Sequence, residues 1–385
     1  MPLLIYVLTV AIFAQGTSEF MLAGLLTDIA HDFSVSAETV GTLTSAFAAG
    51  MVVGAPTMAV LVARLPARIS LIGFLLVFLA AHVLGALTES FPTLLVTRVV
   101  AAFAYAGFLA VALSATRSLV PEDRINRAIA VLLAGTTLAT IVGVPAGAAL
   151  AQLGGWRGTF WAVCVLTLPA LVILFFNRSP MTRGNGPRSG IRSELNELRR
   201  WPVIGSVLLA ALFNAGTFGV FTFLGLLGVD AGIPDALIPL LLAAFGIGSF
   251  LGVAATGRWA AGREKRWIGM DGALASVGWA LMALCAGFAP MLFVLSFLVG
   301  ALSFAVGSAL ISRIVREAHG APLLGGSYAT AALNVGAFLG PIGAGAAYAM
   351  SGGAGVAWVA AATAACGTAL VPLLWIGRRR PVRHA

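Results

Sequence analysis

Residues 2–27 read PLLIYVLTVAIFAQGTSEFMLAGLLT and contain a single charged side chain, Glu19. A stretch of this length can cross a bilayer, because a membrane-spanning helix needs about 20 mostly apolar residues. An acid at the centre of such a helix costs about 2.5–3.5 kcal/mol on insertion scales. The stretch therefore predicts a membrane-spanning helix, and it marks Glu19 as a candidate site for protons, ions or a ligand.

The rest of the chain has the same character. Of 385 residues, 60% are hydrophobic and only 10% are charged, and the mean hydropathy is +1.01. This composition excludes an ordinary soluble globular protein, and the long apolar segments are unlike the short alternating strands of a membrane barrel. We predict an all-α polytopic membrane protein with twelve transmembrane helices in two six-helix bundles. The predicted spans 1 to 12 are residues 3–26, 39–62, 69–87, 93–116, 128–151, 157–176, 202–227, 237–258, 267–287, 290–312, 326–350 and 354–376.

The basic residues are distributed very unevenly between the two sides of these spans. All of the 23 Lys and Arg residues except Arg98 and Arg157 fall in the loops or the terminus on one side. Cytoplasmic loops of membrane proteins carry such an excess of positive charge, so we expect both termini in the cytoplasm of a multi-pass cell-membrane protein. The same explanation accounts for the net charge of +9 without a nucleic-acid partner.

The two halves of the sequence resemble each other. Gly50, Gly54, Gly107 and Pro145 recur as Gly248, Gly252, Gly307 and Pro341, at offsets close to 200 residues. We therefore predict an N-terminal six-helix bundle at 1–176, a cytoplasmic linker at 177–200 and a C-terminal six-helix bundle at 201–385. Paired repeats of this kind can rock about a site near the middle of the membrane.

The linker has two parts of different composition. Residues 177–190 are rich in Gly, Pro and Arg, which favours a flexible segment. The remainder predicts a short helix with Ile191, Leu195 and Leu198 on one face, lying on the inner membrane surface.

Three charged side chains lie within the predicted spans: Glu19, Arg98 and Asp271. Glu19 and Arg98 belong to the same half, and burying both is less costly if they face each other or a water-filled cavity. We predict that they form a proton-coupling pair, with a static pair bracing two helices as the alternative. For Asp271 we expect pairing near the membrane boundary, and the candidate cations are Arg263, Lys265 and Arg266.

Other chemistry has little support in the sequence. His82 is alone in span 3, and we expect a backbone carbonyl or a hydroxyl to satisfy it. The three cysteines have no metal-ligand spacing, and no phosphate-binding glycine loop is present. We therefore predict a protein that is not an enzyme, has no cofactor or metal and draws any energy it needs from an ion gradient.

Two spans combine glycines with a proline. Span 5 contains GVPAG at 143–147 and span 11 contains GPIG at 340–343. Small residues allow helices to approach closely, and a proline inside a helix bends it. We name Gly143, Pro145, Gly147, Gly340 and Pro341 as candidates for a role in packing or gating between the halves.

These motifs together resemble the major facilitator superfamily, in its twelve-span drug:proton antiporter branch. Arg98 is similar to the span-4 arginine of that family, GVPAG to its span-5 antiporter motif, and Glu19 in GTSEFMLAGLL to its span-1 acid. The loop after span 2 reads AVLVARLPAR at 59–68, and it keeps Arg64 and Arg68 of the family's loop motif with alanine in place of the aspartate. We therefore add both arginines to the gating candidates.

The segments around residues 2–26, 43–56 and 131–147 are most similar to chloramphenicol-resistance exporters of actinomycetes. This resemblance implies proton-coupled efflux of chloramphenicol or similar amphiphilic drugs across the cytoplasmic membrane by alternating access. The expected protein is a monomeric transporter with a drug, protons and the lipid bilayer as partners. Alternatives are an exporter of sugars or another metabolite and, in a different class, a membrane receptor or scaffold. Candidates for binding the substrate, together with Glu19, are Gln15, Ser18, Thr137, Asn214, Phe218 and Asn334.

Overall fold

A computed structural model describes residues 2–61, 65–177, 191–259, 264–321 and 324–372. The secondary structure of these residues is helical. Spans 1 to 4 are Leu3–Phe20, Ala37–Leu61, Ala67–Leu87 and Phe91–Leu119; spans 5 and 6 lie within Ile125–Leu138, Ala139–Gly143 and Val144–Phe176; spans 7 to 10 are Trp201–Asp230, Ile238–Trp259, Glu264–Leu284 and Ala289–Glu317; spans 11 and 12 form Gly325–Leu370.

Ten helices of the described residues are long and apolar enough to cross a membrane. Two of these are far longer than one crossing requires, and each is interrupted by backbone that is not helical. The interruptions are at Gly154 and Gly155, where φ of Gly155 is 72°, and at Gly352, where φ is 63°. Each long helix therefore comprises two spans, so the prediction of twelve transmembrane helices is confirmed.

The internal repeat is visible in the packing. A Cβ atom added to Gly50 would lie 2.8 Å from the carbonyl oxygen of Val99, so span 2 lies directly on span 4. In the second half, a Cβ on Gly248 would overlap the carbonyl oxygen of Phe297, which brings span 8 onto span 10. Both contacts repeat at the same offset of 198 residues, as expected for two bundles of one design.

The two halves meet mainly through span 2 with span 11 and through span 5 with span 8. We call the end of the bundle with most of the basic loops the arginine-rich end, and the opposite end the acidic end. At the acidic end, Gln152 donates a hydrogen bond of 2.5 Å to the carbonyl of Asp235, and Gly345 packs against Glu38. Ser327 and the carbonyl of Ala55 join the halves nearer the arginine-rich end, at 3.4 Å.

The second part of the linker forms the predicted short helix, Ile191–Glu197. The side chain of Ile191 lies outside the described part, Leu195 is exposed and Leu198 packs against the core. The helix is attached to the C-terminal half through Glu194, which is fully buried. Its Oε2 accepts a hydrogen bond of 2.9 Å from the backbone N–H of Leu324, immediately before span 11. Tyr328 donates to the backbone carbonyl of Glu194 at 2.8 Å.

We expect Glu194→Ala to release this helix from the C-terminal half. Loss of a side-chain cap costs about 0.5–2 kcal/mol, so the detached form should become several-fold more populated. Trypsin cleavage after the exposed Arg199 should accelerate accordingly. Glu194→Gln keeps an acceptor for Leu324 and serves as the control. Equal cleavage rates in the wild type and the alanine variant would show that Glu194 does not hold the helix.

The pairing expected for Asp271 is wrong for two of its three candidate partners. Asp271 is only 5% exposed, and no ion pair joins it to a described residue. Lys265 and Arg266 are exposed, six and five positions earlier on span 9, whereas side chains share a helix face at spacings of three and four. Arg263 lies outside the described residues.

Candidate functional site

Span 1 changes its helical geometry beside the candidate acid. The α-helix ends at Phe20 and continues as a 3₁₀ turn at Met21–Gly24. Ser18 is fully buried, whereas Glu19 is half-buried. Part of Glu19 is therefore accessible, while its neighbour Ser18 is fully enclosed.

Arg98 of span 4 reaches span 1 at Ser18. Its Nη1 donates to Ser18 Oγ at 2.8 Å and its Nη2 donates to the Ser18 carbonyl at 2.7 Å. The guanidinium carbon lies 4.5 Å from the centre of the Phe47 ring, a favourable cation–π contact. Arg98 is 1% exposed, and its Nε has no hydrogen-bond partner. The predicted pair is thus brought together through Ser18, without a direct ion pair between Arg98 and Glu19.

His82 of span 3 completes this network, and the expectation that neighbouring groups satisfy it is confirmed. Its Nε2 lies 2.6 Å from Ser18 Oγ and its Nδ1 lies 2.8 Å from the carbonyl oxygen of Phe78. Arginine can only donate, so Ser18 Oγ accepts from Arg98, and a carbonyl can only accept, so His82 Nδ1 carries a proton and donates to Phe78. A second positive charge beside Arg98 in this buried position is unfavourable, which favours the neutral ring. In the neutral ring Nε2 has no proton, so it accepts the hydrogen bond of Ser18 Oγ.

Aromatic side chains from both halves meet next to Glu19. Phe20 of span 1 lies 5.8 Å from Phe218 of span 7, between ring centres, and 6.2 Å from Phe221. Ala48 and Ala337 pack against Phe218 from spans 2 and 11. Phe218 therefore lies where the two halves meet.

The polar candidates form two sets. In the N-terminal half, Gln15 precedes Glu19 by one helical turn, and its buried Oε1 has no hydrogen-bond partner. Thr137 of span 5 is half-buried. In the C-terminal half, Asn214 donates to the carbonyl of Leu333 at 2.6 Å, which places it beside Asn334. Phe218 connects the two sets through its contact with Phe20.

The glycines of the span-5 motif face their own half. A Cβ on Gly143 would overlap the Thr17 side chain of span 1, and the carbonyl of Gly147 accepts a hydrogen bond of 2.9 Å from Thr159 of span 6. Pro145 follows a π-helical turn at Ala139–Gly143, where an irregular helix accommodates the missing N–H of proline. The other half contacts span 5 at a different place, where Gly246 packs against the backbone of Thr140.

The span-11 motif repeats this arrangement. A Cβ on Gly340 would overlap the carbonyl oxygen of Ala215 in span 7, whereas a Cβ on Gly343 would meet no atom within 4 Å. Pro341 lies inside the helix and is buried. Gly143 thus packs span 5 against span 1, and Gly340 packs span 11 against span 7. In each half, the motif contacts the first helix of its own bundle.

Arg68 also contacts its own half. Its Nε donates to the carbonyl of Leu174 at 3.0 Å, and its Nη2 donates to the carbonyl of Phe175. These are carbonyls of the last turn of span 6, which lack partners within the helix, and a cation there also favours the helix dipole. Arg64, the other gating candidate of this loop, lies outside the described residues.

Phe20, Phe47 and His82 belong to this site, although none of them was among the site residues predicted from the sequence. A lone histidine in an apolar span was the available signal for His82. Its partners lie 64 and 4 positions away, so nothing in the sequence connects it with Ser18 or Arg98. The aromatic residues are common in apolar spans, and only the packing separates these two from the others.

Comparison with known proteins agrees with this architecture. The family model of the Major Facilitator Superfamily matches residues 8–275. The chain therefore belongs to this superfamily of transporters, as a multi-pass membrane protein. The chain superposes with a TM-score of 0.77 on a bacterial homologue of the human lysosomal transporter Spinster, covering 96% of both chains at 17% sequence identity.

Relatives with higher identity cover nearly the whole length. A chloramphenicol resistance protein of Streptomyces lividans is 52% identical over 347 residues, which are 89% of this chain and 88% of the relative. The inner membrane transport protein YdhP of Escherichia coli K12 is 32% identical over 381 residues, 97% of this chain and 96% of the relative. The predicted membership of the major facilitator superfamily is thus confirmed.

Proposed function

We propose that this protein exports chloramphenicol or similar amphiphilic drugs from the cell, in exchange for protons that enter. Both termini would lie in the cytoplasm, so that the arginine-rich end faces inward. The observation that carries this proposal is the position of Glu19, a half-buried acid in span 1 whose neighbours Ser18 and Phe20 contact Arg98 and Phe218. The 52% identity to a chloramphenicol resistance protein supports the choice of substrate.

Glu19 is suited to carrying a proton because two opposing effects act on it. Removal from water favours the protonated acid, and a nearby guanidinium favours the carboxylate. A conformational change that alters either effect would change the proton affinity of the acid. Proton uptake from one side of the membrane and release to the other then follow from alternating access of the site.

The surroundings of Glu19 suit a neutral amphiphile with an aryl group and hydroxyls. Phe20, Phe218 and Phe221 offer aromatic faces. Gln15 offers an acceptor without a partner, on the same face of span 1 as Glu19. Ligand sites of this kind are mostly apolar, with a few polar groups that fix the orientation. A ligand hydroxyl bonded to the Glu19 carboxylate would face a weaker acceptor when the acid takes up a proton, which would link drug release to protonation.

Accumulation of labelled chloramphenicol in cells tests the function. Cells that express the protein should hold less drug than cells with an empty vector, and a protonophore should raise their drug content to the empty-vector level. Cells carrying the vector alone, with and without the protonophore, control for effects on passive entry. Continued export against a gradient after the protonophore would rule out proton coupling.

A further inference from the structure

Two adjacent residues of span 1, Ser18 and Glu19, carry acceptors that Arg98 could bond. In the structure its two Nη atoms are committed to Ser18, at 2.8 Å to the hydroxyl and 2.7 Å to the carbonyl. The carboxylate of Glu19 belongs to the next residue, directly after the carbonyl that Arg98 bonds. A group that holds Arg98 on Ser18 therefore influences how strongly Arg98 stabilises the carboxylate of Glu19.

His82 determines the direction of the Ser18 hydroxyl. The imidazole is 1% exposed and is held from two sides by rings, with its centre 4.1 Å from that of Phe78 and 5.6 Å from that of Phe160. The bond from Nδ1 to the Phe78 carbonyl leaves Nε2 as an acceptor. That acceptor takes the Ser18 proton, and it turns the oxygen lone pairs of Ser18 towards Arg98.

We propose that His82 is a positioning residue: by accepting the hydrogen bond of Ser18 it retains Arg98 on span 1, away from a direct ion pair with Glu19. The inference rests on the proposed role of Glu19 as the proton carrier. Without an acceptor at position 82, the Ser18 hydroxyl turns towards another partner and its bond with Arg98 weakens. Arg98 then pairs with Glu19 and stabilises its carboxylate, so the acid takes up a proton only at lower pH.

Few titratable side chains surround His82, so few of them could cause such a pH shift. Among the described residues, the titratable or charged side chains nearby are Glu19 of span 1 with Arg98 and Tyr105 of span 4; Tyr105 lies beside Gly16 and Phe47. Spans 2 and 6 contribute the rings of Phe47 and Phe160, which do not titrate, and span 6 also carries the buried thiol of Cys164, one helical turn beyond Phe160. A changed pH dependence in a His82 variant therefore reports on the Glu19–Arg98 balance.

The test is an infrared pH titration of the carboxyl stretch of Glu19 in protein reconstituted in liposomes, identified as the band that Glu19→Gln removes. In His82→Leu we expect its midpoint to move by about one unit or more to lower pH, the size of shift that an opposite charge within 4–6 Å causes. Ser18→Ala should shift it in the same direction. His82→Gln, whose amide oxygen can accept from Ser18, should restore the wild-type midpoint.

A midpoint that stays unchanged or moves to higher pH in His82→Leu would overturn the inference. If His82→Leu does not fold, the decision rests on Ser18→Ala, where an unchanged midpoint has the same meaning. Exchange of chloramphenicol for protons is measured separately in wild-type liposomes. Failure of that exchange refutes the proposed function, whereas successful exchange with an unchanged titration midpoint refutes only the role of His82.

Discussion

Glu19→Gln should abolish the drug gradient that the protein sustains, while chloramphenicol still binds. The amide has nearly the same shape as the protonated acid, so it can occupy the site but cannot release a proton. One proton moving through 100 mV supplies about 2.3 kcal/mol, which sustains a drug gradient of roughly 40-fold. In liposomes with an imposed proton gradient, we expect the ratio of drug concentrations on the two sides of the membrane to fall to one in the variant.

Two further variants make this measurement specific. Glu89→Gln removes an exposed acid from the loop between spans 3 and 4 and should retain the full gradient. Glu19→Asp keeps a titratable group on a shorter side chain and should retain part of it. A Glu19→Gln variant that accumulates drug as the wild type does would remove Glu19 from the role of proton carrier.

Gly340→Ala should destabilise the protein, while Gly343→Ala in the same motif should not. A methyl group on Gly340 would overlap the carbonyl oxygen of Ala215, whereas Gly343 faces open space. Span 11 would have to move away from span 7, and such overpacking costs about 1–3 kcal/mol. Surface substitutions such as Gly343→Ala are usually within about 0.5 kcal/mol of the wild type. Unfolding in detergent, followed by circular dichroism, measures the difference.

The same pair of variants separates packing from gating. If the motif acts in helix packing, Gly340→Ala lowers the stability of the protein. Transport activity then falls in proportion to the amount of folded protein. A Gly340→Ala protein with wild-type stability but no transport would instead indicate a role in the motion of the halves. Equal stability of both variants would show that span 11 accommodates the added methyl group without cost.

Much of the fold could be predicted because each signal lies within a short segment. Apolar runs of about 20 residues indicate individual spans, and repeated glycines and prolines at a constant offset indicate two related halves. These signals predicted twelve spans. They separated two spans even where one long helix contains both, on either side of Gly155 and of Gly352. The linker helix was predicted in the same way, from local spacing.

The pairing of side chains needed the tertiary structure. The sequence identified Glu19 and Arg98 as two costly charges in one half, because burial of a charge in a membrane is unfavourable wherever it occurs. It could not show that Arg98 bonds Ser18, the neighbour of Glu19, since this depends on how spans 1 and 4 are rotated about their axes. Nor could it show that Asp271 forms no ion pair with Lys265 or Arg266.

The sequence by itself thus determined that the chain crosses the membrane, how often it does so, and that an acid with an unusual cost lies in span 1. These properties depend on composition and spacing along the chain. Only the tertiary structure decided that Ser18, before Glu19, joins a network with His82 and Arg98, and that Phe20, after Glu19, contacts Phe218. Hydrogen bonds and ring contacts act over a few ångströms, and the residues that make them here come from spans far apart in sequence.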